Sequence, residues 1–148
     1  MVSIQRGMTF EQAVEIAARA HSGHTDRFGE PMLMHVLRVA VSVPPEARVV
    51  AALHDVLEDS DLTAADLEAM GLTDPELGAV KLLTHGEEPY EEYIERIATA
   101  EGEAGELART VKVGDLRDKL SLVRRGQDDL WGRYERALKR LGADGPLS

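Results

Sequence analysis

Apolar positions recur along this chain at three- and four-residue intervals, the period of a helix face, almost from end to end. In "TFEQAVEIAARAH" the residues Phe10, Ala13, Val14, Ala17 and Ala20 keep that period, and Thr9 followed by Gln12 forms a capping-box start. The glycines and proline of "SGHTDRFGEP" mark a loop. "PMLMHVLRVAVSV" predicts a second helix from Pro31 to Val43, opened by its proline and broken by Pro44-Pro45. A third helix is expected to hold "RVVAALHDVLED", and Thr63 caps a short helix over "AADLEAMG" that Gly71 ends. Further helices fit "DPELGAVKLLTH", "PYEEYIERIATA", "AGELARTVKVGDLRDKLSLV" and "DDLWGRYERALKRLG". No repeat, low-complexity tract or alternating strand pattern interrupts them, and the joints near Gly102 and Gly126 are too short for domain linkers. The expectation is one all-α domain over residues 1–148, a compact helical bundle.

Composition narrows the chemistry. With 148 residues, 43% apolar and 30% charged, the chain can enclose one sizeable core. No apolar run reaches the length of a membrane span. The opening "MVSIQRGMTFEQ" lacks the basic, apolar and small-residue regions of a secretory signal, so a cytoplasmic protein is expected. There is no cysteine, which excludes disulfides, a thiol nucleophile and thiolate metal sites. A metal would need nitrogen and oxygen ligands. The net charge of −10 argues against a nucleic-acid partner and against anionic ligands, unless a metal or local basic cluster reverses the field.

One stretch resists the helical pattern. "AALHDVLEDSD" follows an unbroken apolar run with His54, Asp55, Glu58 and Asp59. On a helix, His54 stacks over Glu58 and Asp55 over Asp59, in two rows ~100° apart. A solvated acidic face would carry basic partners at i±4, yet neighbours at that spacing include Val50, Ala51 and Leu62, none of them basic. Acids at a helix C-terminus without cations oppose the macrodipole, and a bound cation resolves the conflict. Candidate partners for such an ion are His21, His24, His35, His85 and carboxylates in apolar contexts; His35 stands alone in the apolar "PMLMHVLRVAV", and Asp115 follows Val111, Val113 and Gly114. The bland alternatives are a hydrogen-bonded core histidine at 35 and a surface pair of Asp115 with Lys119. Trp131 reads as core, and His24 and His85 as loop or surface residues.

In this order, His35, His54-Asp55 and Asp115 resemble the HD-domain metal-dependent phosphohydrolases. "AHSGHTDRFGEPMLMH", "AALHDVLEDSDLT" and "VKVGDLRDKL" resemble the motifs of RelA/SpoT-type guanosine tetraphosphate hydrolases and their single-domain relatives, the small alarmone hydrolases. The resemblance implies an HD-type bundle in which His35, His54, Asp55 and Asp115 bind one divalent ion, typically Mn2+. Glu58 and Asp59 match the acidic pair that positions or deprotonates the attacking water, and His21 falls on a supporting histidine. The implied reaction removes the 3′-diphosphate of ppGpp or pppGpp as pyrophosphate. Arg27, Lys119 and Tyr134 match substrate-lining positions. Departures bear on the substrate: His24 stands where the motif has glutamine, Asp26 replaces a basic residue that helps hold the base, and Met32 replaces tyrosine. Lys119 stands where an asparagine near the ribose is usual. An adenosine alarmone, NADPH or a simple nucleotide therefore remain open as substrates. So do a non-catalytic nucleotide or metal sensor and a helical interaction module. The oligomeric state, a homodimer included, is not legible in the sequence.

Overall fold

The structure, a computed structural model, describes residues 7–123 and 128–143. Among them the only extended pairing is an isolated antiparallel bridge between Thr25 and Pro31; the rest is helix, turn and loop. The all-α expectation holds. The elements are α1 (Phe10–Ala20), α2 (Met32–Ser42), a 3-10 turn (Pro45–Ala47), α3 (Arg48–Leu53), α4 (Val56–Asp59), α5 (Ala64–Ala69), α6 (Asp74–Leu83), α7 (Tyr90–Thr99), α8 (Gly102–Leu122) and α9 (Asp128–Arg140). The expected joint near Gly126 lies outside the described residues. No described helix is long and apolar enough to cross a membrane.

Local chemistry sets the helix starts. At α1 the Thr9 hydroxyl accepts the Gln12 N–H at 3.1 Å while the Gln12 side chain accepts the Thr9 N–H at 2.9 Å. Thr63 and Thr73 build the same reciprocal cap for α5 and α6. Inward residues of α8, the longest described helix, meet α6, α2, α9, α7 and α3, so it forms the axis of the bundle. Val36, Val39, Val50, Leu53, Val56, Leu67, Val80, Ile97, Leu116 and Leu138 close the core around it. Gly114 permits the contact with α2: a Cβ there would stand 3.1 Å from Ser42 Oγ and 3.3 Å from a Val43 methyl. Trp131, expected in the core, is only partly buried at its margin, because α9 packs along the edge of the bundle.

The expected third helix is two. It stops at Leu53 and resumes at Val56, with His54 and Asp55 forming a turn. The cause is competition for one carbonyl. In a continuous helix Ala51 O would accept the Asp55 N–H; here it accepts the His54 N–H at 3.4 Å and the His54 ring Nδ1–H at 2.6 Å. Asp55 consequently adopts φ −108° and ψ 2°, off the helical region. The regular stacking expected for His54 over Glu58 is thereby lost.

Candidate metal centre

Helix α2 carries His35 inward, the turn between α3 and α4 presents His54 and Asp55, and α8 presents Asp115. His35, His54 and Asp115 are buried, at 3%, 2% and 1% exposure. One donor atom from each lies within 4.8 Å of the other two. Asp55 joins them, its Oδ2 3.2 Å from His54 Nε2. The fold thus brings together the four expected metal-ligating residues from three separate segments.

The donor set fits a divalent cation on the geometry of His54. A carbonyl can only accept, so the Nδ1 that meets Ala51 O carries the proton. Nε2 is then left without a hydrogen-bond partner, buried, and facing Asp55 Oδ2 at 3.2 Å and Asp115 Oδ1 at 3.5 Å. A bare lone pair against two carboxylates requires a positive charge between them, either a second ring proton or a metal ion. Without a metal, burial disfavours the His54 imidazolium, but the Asp55 and Asp115 charges outweigh it and push the pKa up to about 10. For Asp55, burial is likewise overcome by neighbouring His54, which holds its carboxyl well below the usual range.

The second layer was less legible. His35 Nε2 meets Asp115 Oδ1 at 2.7 Å, and its Nδ1 meets Asp118 Oδ2 at 2.6 Å. Arg38 grips Asp118 through Nε at 2.7 Å and a second nitrogen at 3.2 Å, and pairs with Glu30 at 3.0 Å. Burial opposes charge on His35, yet its bonds to the two aspartates raise its pKa. Such a carboxylate behind a ligating imidazole fixes ring orientation and basicity. Asp118 is absent from the expected set; its spacing of three from Asp115 along α8 was the available signal.

The acids of the His54–Asp59 stretch have no cation at helical spacing, but Asp115 has two on its own helix, one turn to either side. Lys112 Nζ lies 2.8 Å and Lys119 Nζ 3.3 Å from Asp115 Oδ2. Asp115 is therefore divided: Oδ1 faces the imidazoles and Oδ2 two ammonium groups. Burial would raise its pKa, but Lys112 and Lys119 hold it well below the usual range. Lys112, flanked by Val111 and Val113, is itself buried and sits 4.9 Å from the centre of the Tyr93 ring. The pair of Asp115 with Lys119 exists, but Asp115 is buried and so it is no surface pair.

Glu58 is exposed at the rim, and its Oε2 accepts the His85 N–H at 2.9 Å. Partial desolvation raises its pKa, a shift that the His85 hydrogen bond partly offsets. His85, in the loop before α7, stacks on Tyr93 with ring centres 4.5 Å apart. Asp59, half-buried on α4, lies 3.3 Å from His21 Nδ1 rather than against the four-residue cluster. Lys119 also sits 5.8 Å from the Tyr134 ring centre, and Tyr134 is buried in the core at 8% exposure. Arg27 is exposed on the loop before α2 and makes no hydrogen bond or ion pair with the cluster among the described residues. Asp26 on the same loop accepts the Phe28 and Glu30 N–H groups at 2.8 and 3.0 Å, so its carboxylate shapes the loop. A cleft of about 1080 Å³ opens on the opposite face of α8 and touches this cluster only through Arg38 and Asp118.

No family model matches the chain. Partial similarity to curated proteins is present. A stretch of 63 residues, 39% of this chain, is 40% identical to the guanosine-3′,5′-bis(diphosphate) 3′-pyrophosphohydrolase of Vibrio cholerae serotype O1. A stretch of 64 residues, 40% of this chain, is 38% identical to the bifunctional (p)ppGpp synthase/hydrolase SpoT of Escherichia coli K12. The matched stretch spans 9% of the length of each of these relatives. Over about 40% of its length the chain is thus similar to (p)ppGpp 3′-pyrophosphohydrolases, and its buried His35, His54 and Asp115 are a group that can hold a metal ion.

Proposed function

We propose that this chain is an HD-type, divalent-metal-dependent phosphohydrolase acting on a phosphorylated nucleotide, with Mn2+ as the ion and a guanosine alarmone as substrate. The observation that carries the reading is the buried Nε2 of His54, stripped of hydrogen-bond partners and aimed at two carboxylates. His35, His54, Asp55 and Asp115 are the ligands, two imidazoles and two carboxylates that suit Mn2+ or Fe2+. A bound ion supplies Lewis acidity toward a phosphoryl oxygen and lowers the pKa of water.

The chain's own groups do the remainder. Glu58, held by the His85 amide and with its pKa raised, takes the proton from the attacking water. Asp59 orients that water from the same short helix. Lys119, a third exposed on its side chain, offers positive charge to the phosphates of a polyanionic substrate. Arg27, on its exposed loop, and Tyr134, in the wall behind Lys119, are assigned the remaining substrate contacts. In the net reaction the water oxygen bonds to the phosphorus next to the ribose, the bond to the 3′-oxygen breaks, and that oxygen leaves as a hydroxyl after protonation. Partial similarity to alarmone pyrophosphohydrolases supports the choice of guanosine alarmone.

A second reading has its own support: Lys112 and Lys119 already counter Asp115, so a metal-free ion-pair network could make this a binding module. One assay separates them. EDTA-treated protein is incubated with ppGpp, ppApp, NADPH and mononucleotides, with and without Mn2+. Mn2+-dependent release of pyrophosphate from ppGpp is expected. Orthophosphate from NADPH or a mononucleotide, with ppGpp untouched, overturns the alarmone assignment, and absence of metal uptake overturns the centre itself. Glu58→Gln is expected to retain the metal while kcat falls ~10²–10⁴-fold.

A further inference from the structure

A second cluster lies beside the first and shares none of its ligands. His21 caps the C-terminal end of α1, its side chain fully shielded from solvent. Neither of its ring nitrogens has a hydrogen-bond partner. Leaving a buried polar group so is unfavourable, and a core histidine kept only for packing would be satisfied by a carbonyl or hydroxyl. Asp59 Oδ2 lies 3.3 Å from its Nδ1. His24 folds back from the following loop, its ring 6.4 Å from that of His21 and tilted by 70°. One donor atom from each of His21, His24 and Asp59 lies within 4.8 Å of the other two.

The arrangement has the grading of an ion site. His21 is buried, Asp59 half-buried and His24 exposed, so the set has an inner anchor and an open side. Two imidazoles and one carboxylate, from two segments, are the donors that Zn2+, Co2+ or Fe2+ take with further positions left for water. We infer that His21, His24 and Asp59 form a second divalent transition-metal site, distinct from the centre at His35, His54, Asp55 and Asp115. Asp59 thereby gains a ligand role that adds to, and does not require, its part in the proposed hydrolysis.

Metal stoichiometry tests this without any substrate. The metal-stripped full chain is titrated with Zn2+ and, separately, Co2+, desalted, and assayed for bound metal per chain and for Co2+ absorption. Wild type is expected to hold two ions, and His24→Gln one, with affinity for the second ion down at least ~10-fold. His24 is exposed, so this variant spares the core. His54→Ala is expected to hold one ion as well, and the His24→Gln/His54→Ala pair none. An unchanged isotherm for His24→Gln overturns the second site, whatever His54→Ala does. A single ion in wild type that either variant abolishes also overturns it, since the two clusters would then be one centre. Loss of an ion in His24→Gln with none lost in His54→Ala upholds this site and overturns the first centre instead.

Discussion

At the scale of single residues, a proton and the proposed metal ion would compete for His54. Its metal-free pKa is raised from 6.5 to about 10, so the stabilisation from its charged form is complete below pH 6.5 and lost as pH rises toward 10. An ion must displace that proton, so metal affinity is expected to rise with pH across the same window, with about one proton released per ion. Calorimetry in buffers of different ionisation enthalpy reads the proton directly; a pH-independent affinity removes His54 from the ligands. Asp115 gives a second prediction. Asp115→Asn strands the buried Lys112 and is expected to cost about 3–5 kcal/mol, most of which Lys112→Met in the same chain restores. Chemical denaturation of both variants checks it. The sequence exposed His35, His54, Asp55 and Asp115 because each is a polar side chain in an apolar run. It concealed Lys112 and Asp118, which look like ordinary helix-surface charges until α8 is known to lie at the centre of the bundle.

At the scale of elements, the distance between α2 and α8 sets the distance between His35 and Asp115. Gly114 governs it, with Ser42 Oγ and the Val43 and Val39 methyls 3.1–3.4 Å from where a side chain would begin. Gly114→Val is expected to cost about 1–3 kcal/mol and to weaken metal binding by pushing the helices apart. Thr9→Ala, which removes a cap remote from the cluster, is expected to cost about 1 kcal/mol and leave metal binding unchanged. Thermal melts paired with a chelator competition separate the two effects. Helix positions and the Thr9 and Thr63 caps were legible because both rest on interactions within a few residues. The break at His54–Asp55 was not, because it depends on a side chain outcompeting the backbone for the Ala51 carbonyl, which periodicity does not encode.

At the scale of the whole molecule, the four proposed ligands close long stretches of chain onto one point. Saturating metal at 100 times its Kd is expected to add about 2.7 kcal/mol of stability, a Tm rise of roughly 5–10 °C. Differential scanning fluorimetry with Mn2+ against EDTA reads it, and identical melts would remove the metal from the folded state. The charge of −10 draws cations toward the molecule, while Lys112 and Lys119 set two positive charges beside Asp115. The interrupted helix at His54–Asp55 has a consequence for protein engineering. Grafting "HDVLED" onto a regular helix of another scaffold would place His54 and Glu58 in one vertical row, with the His54 ring free to choose either tautomer. A working transplant needs the kink as well as the letters, carried by an acceptor carbonyl three residues upstream that no continuing helix claims.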